Sequence, residues 1–244
     1  MIDLRHGNHA DVLADVRADL ILTSPPYNIG SACPAKTGTR NAANGTYDPK
    51  SYRGIREYSD NMPEADYQAS QVVFLNWCAA HLNEGGTVVY NHKPRRRDMR
   101  MIHPIEWISR ATSLVLMEEI IWNRRSTHNH SNRMMHPIHE SLYVLRRAID
   151  PPATYALWNR KTLPQRSTIW DIPRAPVNGH NAPFPEEMAR AVIEAWSKPG
   201  QLVCDPYAGS GTTAVAAQDT DRAFVGAEIL ENYVEQARKR IAGA

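Results

Sequence analysis

Two loops of this chain hold the residue types from which chemistry can be built. The first, Asp205–Thr213, reads DPYAGSGTT, follows a short apolar run and opens a helical one. Glycines at 209 and 211 let backbone approach a ligand where a side chain would collide, and a helix start offers unpaired N–H groups. The spacing is neither a Walker loop, which needs Gly-Lys-Ser/Thr, nor the full dinucleotide fingerprint. Seventeen residues after Gly211, Glu228 ends the next apolar run, placed to accept hydrogen bonds from ribose hydroxyls. A tight turn with an incidental acid is the competing reading. The second loop lies in Asp19–Gly30, DLILTSPPYNIG. Its Ser24-Pro25-Pro26-Tyr27 box begins where a strand must stop, because two prolines cannot donate to a sheet ladder. The prolines fix the backbone with carbonyl oxygens outward, and Tyr27 offers a flat face. A box just past a strand's carboxyl end lies where open α/β sheets bind ligands.

The surrounding elements must place these loops. Gln201–Asp205 and Ala223–Ile229 read as strands, each followed by a helix, from Thr212 (with Thr as the expected cap) and over Glu231–Ile241. Toward the N-terminus, Met1–Leu4 and Ala18–Thr23 read as strands around a helix at Ala10–Val16. A long helix at Ala65–Leu82 precedes a break at Gly85-Gly86 and a strand at Thr87–Asn91. A helix over Ile102–Thr112 and two late strands, Leu114–Trp122 and Ser141–Arg146, complete the pattern. Strands alternating with helices on short connections predict a parallel sheet covered by helices. Residues 28–63 and 147–180 fit no element, and structureless stretches longer than about 12–15 residues usually carry function.

Composition bounds the class. The 244 residues suit one domain, 1–244, in which 28–63 is an inserted loop. No apolar run approaches the roughly 18 residues of a membrane helix, and the start has no basic head before an apolar stretch, so neither a membrane partner nor a secretory leader is expected. Cys33, Cys78 and Cys204 form no CxxC pair; Cys78 and Cys204 read as core, and Cys33 as a loop thiol. The net charge of +2 conceals 22 Arg against six Lys. Genome composition is one cause of such a bias; phosphate binding by the planar guanidinium is the other.

Together the two loops resemble those of the DNA amino-methyltransferases, enzymes that move a methyl group from S-adenosyl-L-methionine to an exocyclic amine of a base. The family's catalytic box is Asp/Asn/Ser-Pro-Pro-Tyr/Phe/Trp, and its cofactor loop is similar to DP[FY]xGSGTT. Residues 181–185 (NAPFP), Gly226-Ala227-Glu228 with Tyr233, and Leu82–Asn91 resemble further family segments. The resemblance implies an α/β, Rossmann-like methyltransferase fold: a mostly parallel seven-stranded sheet with helices on both faces, and the circularly permuted β-type order, catalytic box before cofactor loop. It implies S-adenosyl-L-methionine as cofactor, held by Asn8, Phe184, Pro185, Asp205, Tyr207, Ala208, Gly209, Ser210, Gly211, Thr212 and Glu228. Position 8 departs from the pattern, since relatives usually carry Asp there; Asn both donates and accepts, so an adenine contact survives in principle. The implied catalytic set is Ser24, Pro25, Pro26 and Tyr27. Among relatives Ser at the first box position mostly accompanies cytosine N4 methylation, and adenine N6 is the alternative.

The chemistry fits these groups. A cytosine amine is a poor nucleophile because its lone pair is delocalised into the ring; acceptors at Ser24 and the Pro25 carbonyl would turn that lone pair toward the methyl carbon and stabilise developing positive charge. A paired base hides the amine, so the target must leave the stack, where Tyr27 would pack on it. Methylation at cytosine C5 needs a thiolate, which the box lacks.

The expected partner is double-stranded DNA, with phosphate contacts from Arg95, Arg96 and Arg97 (near Arg100), from Arg124, Arg125 and Arg133, and from Arg160 and Arg166. A solvated basic face is the competing reading for the 95–97 run. Residues 147–180 occupy the family's target-recognition position, with Trp158, Trp170 and Arg174 as further candidates; core burial is the competing reading for each Trp. About 30 residues is small for specificity, so the 28–63 loop or a second copy in a homodimer is the expected help. His128, His130, His136, His139 and Glu140 crowd one stretch without HExxH spacing, and Pro137 opposes a helix, so no metal is expected. The expected setting is cytoplasmic, nucleoid-associated in a bacterium or phage. The rival classes are a catalytically dead DNA binder and an RNA or protein amide methyltransferase.

Overall fold

The computed structural model describes residues 1–29, 61–97, 99–127, 135–155, 157–158, 167–174 and 184–243. Cys33, Arg133, Arg160 and Arg166, and nearly all of the 28–63 loop, lie outside them. The elements are β1 (Ile2–His6), α1 (His9–Val12), β2 (Ala18–Thr23), α2 (Glu64–Ala80), β3 (Leu82–His92), the hairpin β4 (Arg95–Arg97) and β5 (Arg100–Ile102), and α3 (Ile105–Ile108). They continue with β6 (Leu114–Asn123), β7 (His139–Arg147), β8 (Ile169–Asp171), α4 (Glu186–Trp196), β9 (Leu202–Asp205), α5 (Thr212–Asp219), β10 (Ala223–Glu228) and α6 (Glu231–Ala242).

The sheet runs β1-β10-β9-β2-β3-β7-β6-β8, and only β7 opposes the other strands. It has eight strands rather than seven. The additional one, β8, is contributed by the 147–180 region, where three residues pair in parallel with the end of β6. Residues along a strand alternate between two cores. Leu20, Leu22, Val89 and Val144 face α4, α5 and α6, and Ile21, Val88, Tyr90 and Leu145 face α1, α2 and α3. Strands covered on both faces must read as continuous apolar runs, which is why LILT and TVVY stand out in the sequence.

The local departures have physical causes. Gly85 and Gly86 do not break the chain. They lie inside β3, where Ala18 pairs with Leu82 and Leu20 with Thr87, so β3 bulges. Gly85 takes φ +72, and a Cβ at Gly86 would come 3.1 Å from the Asp19 carbonyl oxygen. The basic run at 95–97 is a hairpin strand. The first and third helices shrink to four residues each, His9–Val12 and Ile105–Ile108. Helix α5 is capped by Gly211 at φ +81 rather than by Thr212. A Cβ at Gly211 would sit 3.0 Å from that of Ala237, so this glycine serves the packing of α6 against the loop.

Candidate functional site

Strands β9 and β2 lie side by side at the centre of the sheet, with Leu20 level with Val203 and Ile21 with Cys204. From that seam the chain winds outward both ways, through α5 to β10 and through α2 to β3. The two loops leaving β2 and β9 therefore open into one crevice at the carboxyl edge, the position such sheets use for ligands. Sequence separation between the box and the glycine loop is irrelevant once these strands pair.

In the box, the Ser24 hydroxyl lies 2.9 Å from that of Tyr27. The Tyr27 hydroxyl is also 3.0 Å from Asn91 Oδ1 and 3.1 Å from Glu140 Oε2. Burial and the Glu140 carboxylate push the Tyr27 phenol well above its ordinary pKa, so it keeps its proton. Glu140 is buried, with Arg124 Nη1 at 2.8 Å and Lys93 Nζ at 3.8 Å. The Tyr67 hydroxyl donates to the Pro26 carbonyl at 2.8 Å and meets His92 Nε2 at 2.7 Å. Burial holds His92 well below its usual pKa, hence neutral. Its ring lies 4.3 Å from that of Tyr27, centroid to centroid. Asn28, at φ +56, closes the box: its carboxamide accepts from the Met62 amide at 2.6 Å and donates to the Met62 carbonyl at 3.0 Å.

The glycine loop is anchored by two buried carboxylates. Asp205 accepts from the Tyr207 amide at 3.1 Å and the Thr213 hydroxyl at 2.6 Å, and burial pushes its pKa up to about 6. Glu228 accepts from the Gly209 amide at 3.0 Å and the Leu230 amide at 2.8 Å, and burial raises its pKa as well. The Ile229 amide also bears on this carboxylate, so three backbone N–H groups engage it. The Gly7 amide donates to the Glu228 carbonyl at 2.9 Å, which brings Asn8 to the same edge, where its side chain caps α1. Ala208 is buried, with its amide on the Ala227 carbonyl at 2.9 Å. Tyr207 packs with His9 and Phe74, and Arg240 Nη1 reaches Ser210 Oγ at 3.3 Å and Thr212 Oγ1 at 3.1 Å. Phe184 lies against the core and Pro185 is the N-cap residue just before α4. Gly209, Ser210 and Glu228, at two adjacent strand ends, thus lie together along one backbone-lined edge.

Four of the arginines expected on DNA are paired with carboxylates within the protein. Arg95 and Arg97 point inward, because alternate residues of a strand share a face. The Arg95 fork grips Glu64 at 2.9 and 2.8 Å and lies over Tyr67, 4.6 Å from the ring centre, and Arg97 reaches the same carboxylate at 3.4 Å. Arg124 is spent on Glu140 and the Pro137 carbonyl. Arg125 is exposed but bidentate on Asp171, at 3.0 and 2.9 Å. The side chains of Arg95 and Arg124 are largely buried in these pairs, whereas that of Arg125 stays exposed. Of the 95–97 run, Arg96 is the exposed member. Trp170 is core, with Nε1 on the Ser167 carbonyl at 3.0 Å, while Trp158 is half-exposed beneath Lys198. Among the described residues, no three His, Cys, Asp or Glu side chains are grouped to hold a metal, and no helix is long and apolar enough to cross a membrane.

Tyr67, Asn91, His92 and Glu140 are not assigned to the site by sequence reasoning. Asn91 and His92 end β3 beside β2, and β7 is antiparallel to β3, so its first residues return to the same edge. Only the strand order reveals that signal.

Residues 18–239 match the DNA methylase family. The chain is 36% identical over 137 residues to the type II methyltransferase M.SmaI of Serratia marcescens, covering 52% of this chain and 46% of that protein. It spans about half the length of the curated relatives it matches. Its fold superposes on the cytosine-N4-specific PvuII DNA methyltransferase with a TM-score of 0.72, at 17% identity over 98% of this chain and 86% of that one. A DNA modification methylase of Thermus thermophilus, described as putative and solved with S-adenosyl-L-methionine, superposes with a TM-score of 0.67, at 22% identity over 100% and 94%. The chain belongs to the DNA methylase family.

Proposed function

We propose that this chain methylates the N4 amine of cytosine in double-stranded DNA, with S-adenosyl-L-methionine as methyl donor. The observation that carries the reading is the Ser24–Tyr27 hydroxyl pair at the end of β2, beside the glycine loop. Gly209, Ser210 and Glu228 would hold the cofactor, with Asn8, Tyr207 and Phe184 around its adenine end. When bound, it supplies a methyl carbon whose bond to sulfur breaks as the bond to the amine nitrogen forms, the electron pair leaving with sulfur. Ser24 and the Pro25 carbonyl accept the amine hydrogens and aim its lone pair; Tyr67 already occupies the Pro26 carbonyl. The methylated amine then loses one proton to water. Tyr27, whose ring meets His92 at 4.3 Å and Lys93 Nζ at 5.2 Å, packs on the extruded base.

The test is to incubate the protein with duplex DNA and S-adenosyl-L-methionine, digest to nucleosides and identify the product by mass. N4-methylcytosine is expected. N6-methyladenine would reverse the inference from Ser24, and label found only in RNA or protein would overturn the substrate class.

A further inference from the structure

The mechanism asks Ser24 to accept hydrogen bonds, yet a serine hydroxyl donates as readily as it accepts. Its surroundings decide which. Tyr27 Oη has one proton and three neighbours: Ser24 Oγ at 2.9 Å, Asn91 Oδ1 at 3.0 Å and Glu140 Oε2 at 3.1 Å. Asn91 Nδ2 donates to the Ser141 carbonyl at 3.2 Å, so its oxygen is the atom that faces Tyr27. Glu140 keeps its other oxygen on Arg124 at 2.8 Å. Both are acceptors, so the phenol proton belongs to one of them. The hydrogen between Ser24 and Tyr27 can then come only from Ser24.

We propose that Glu140 is a positioning residue for methyl transfer: with Asn91 it draws the Tyr27 proton inward, commits the Ser24 proton to Tyr27, and leaves the Ser24 lone pairs facing the substrate amine. The chain of hydrogen bonds has one direction, from Ser24 through Tyr27 to Glu140. This assigns Tyr27 a second task, carried by its hydroxyl and separable from packing on the base. It rests on the reading above, in that the amine acceptor is Ser24.

Four variants test it. Tyr27→Phe keeps the ring and removes the relay. In Glu140→Gln the amide oxygen is claimed by Arg124, which can only donate, so the NH2 turns to Tyr27 and competes for the lone pair that Ser24 needs. Each should lower kcat on the order of tenfold, leaving KM for DNA and cofactor affinity within about twofold. Because Glu140 acts only through the Tyr27 hydroxyl, the double variant should be no slower than Tyr27→Phe alone. A second readout needs no turnover. In the cofactor-free protein carrying 13Cζ-tyrosine, the line lost in Tyr27→Phe reports hydrogen bonding at that phenol, and Ser24→Ala and Glu140→Gln should each move it. Additive losses in the double variant, a Glu140→Gln defect confined to KM, or a Tyr27 line unmoved by Ser24→Ala would overturn the proposal. If wild-type protein methylates no cytosine or adenine, the functional reading fails instead, and the NMR result still stands on its own.

Discussion

Asp205 and Glu228 hold the glycine loop by bonds to residues two to nineteen positions away, whereas the box at 24–27 is held by side chains 41 to 113 positions distant. The glycine loop is a local object. Its anchors sit in the same strand–loop–helix–strand segment that it belongs to, so the segment carries its own geometry. The box consists of four residues whose orientation depends on α2, β3 and β7. Removing a loop anchor should therefore disturb cofactor binding more than turnover, and removing a box support should disturb turnover more than cofactor binding.

The largest effect is expected from a support that never touches the site. Arg95→Met removes the bidentate partner of Glu64 and the cation over the Tyr67 ring, leaving that carboxylate only Arg97 at 3.4 Å, and the cost expected is up to about 3 kcal/mol of stability, with turnover falling further than cofactor affinity. Denaturant unfolding beside calorimetric cofactor binding would measure both; equal losses would erase the distinction between the regions. Tyr27→Ala comes next. A loss of about a hundredfold in turnover is expected, from base packing worth roughly 1–3 kcal/mol together with the lost hydroxyl, while cofactor affinity stays intact. A parallel fall in cofactor affinity would count against the assigned role.

The loop anchors predict a pH effect. The folded pKa of Asp205, about 6, lies above that of an unfolded aspartate near 4, so its contribution is fully present below about pH 4 and is lost as pH rises through 6. Relative to Asp205→Asn, wild type should lose stability across that window by up to about 3 kcal/mol. A difference that stays flat with pH would refute the burial argument. Glu228→Gln should weaken cofactor binding about tenfold and cost about 1–3 kcal/mol of stability, since its NH2 must face either the Gly209 or the Leu230 amide, donor against donor. Smallest is the surface term. Arg96→Gln should lower the slope of log affinity against log salt by about 0.9, and Arg95→Met should leave that slope unchanged.

The same contrast explains what can be read from sequence. LILT before Ser-Pro-Pro and the DPYAGSGTT run are legible because a doubly covered strand and a local loop write their constraints in consecutive residues. The eighth strand is not: Ile169–Asp171 is too short to show a period, and it is a strand only because the end of β6 offers an edge. Arg95 and Arg97 look like partners of Arg96 because clustering in sequence hides the alternation of a strand, which sends neighbours to opposite sides. In sequence Glu140 stands among histidines and reads as part of a metal question. Its task is set by Tyr27, 113 positions away, and only the reversal of β7 brings them together.

The paired bonds between Asn28 and Met62 fasten two points 34 positions apart. Met62 stands just before α2, so the clasp couples the end of the box to the start of that helix, and neither can shift without breaking both bonds.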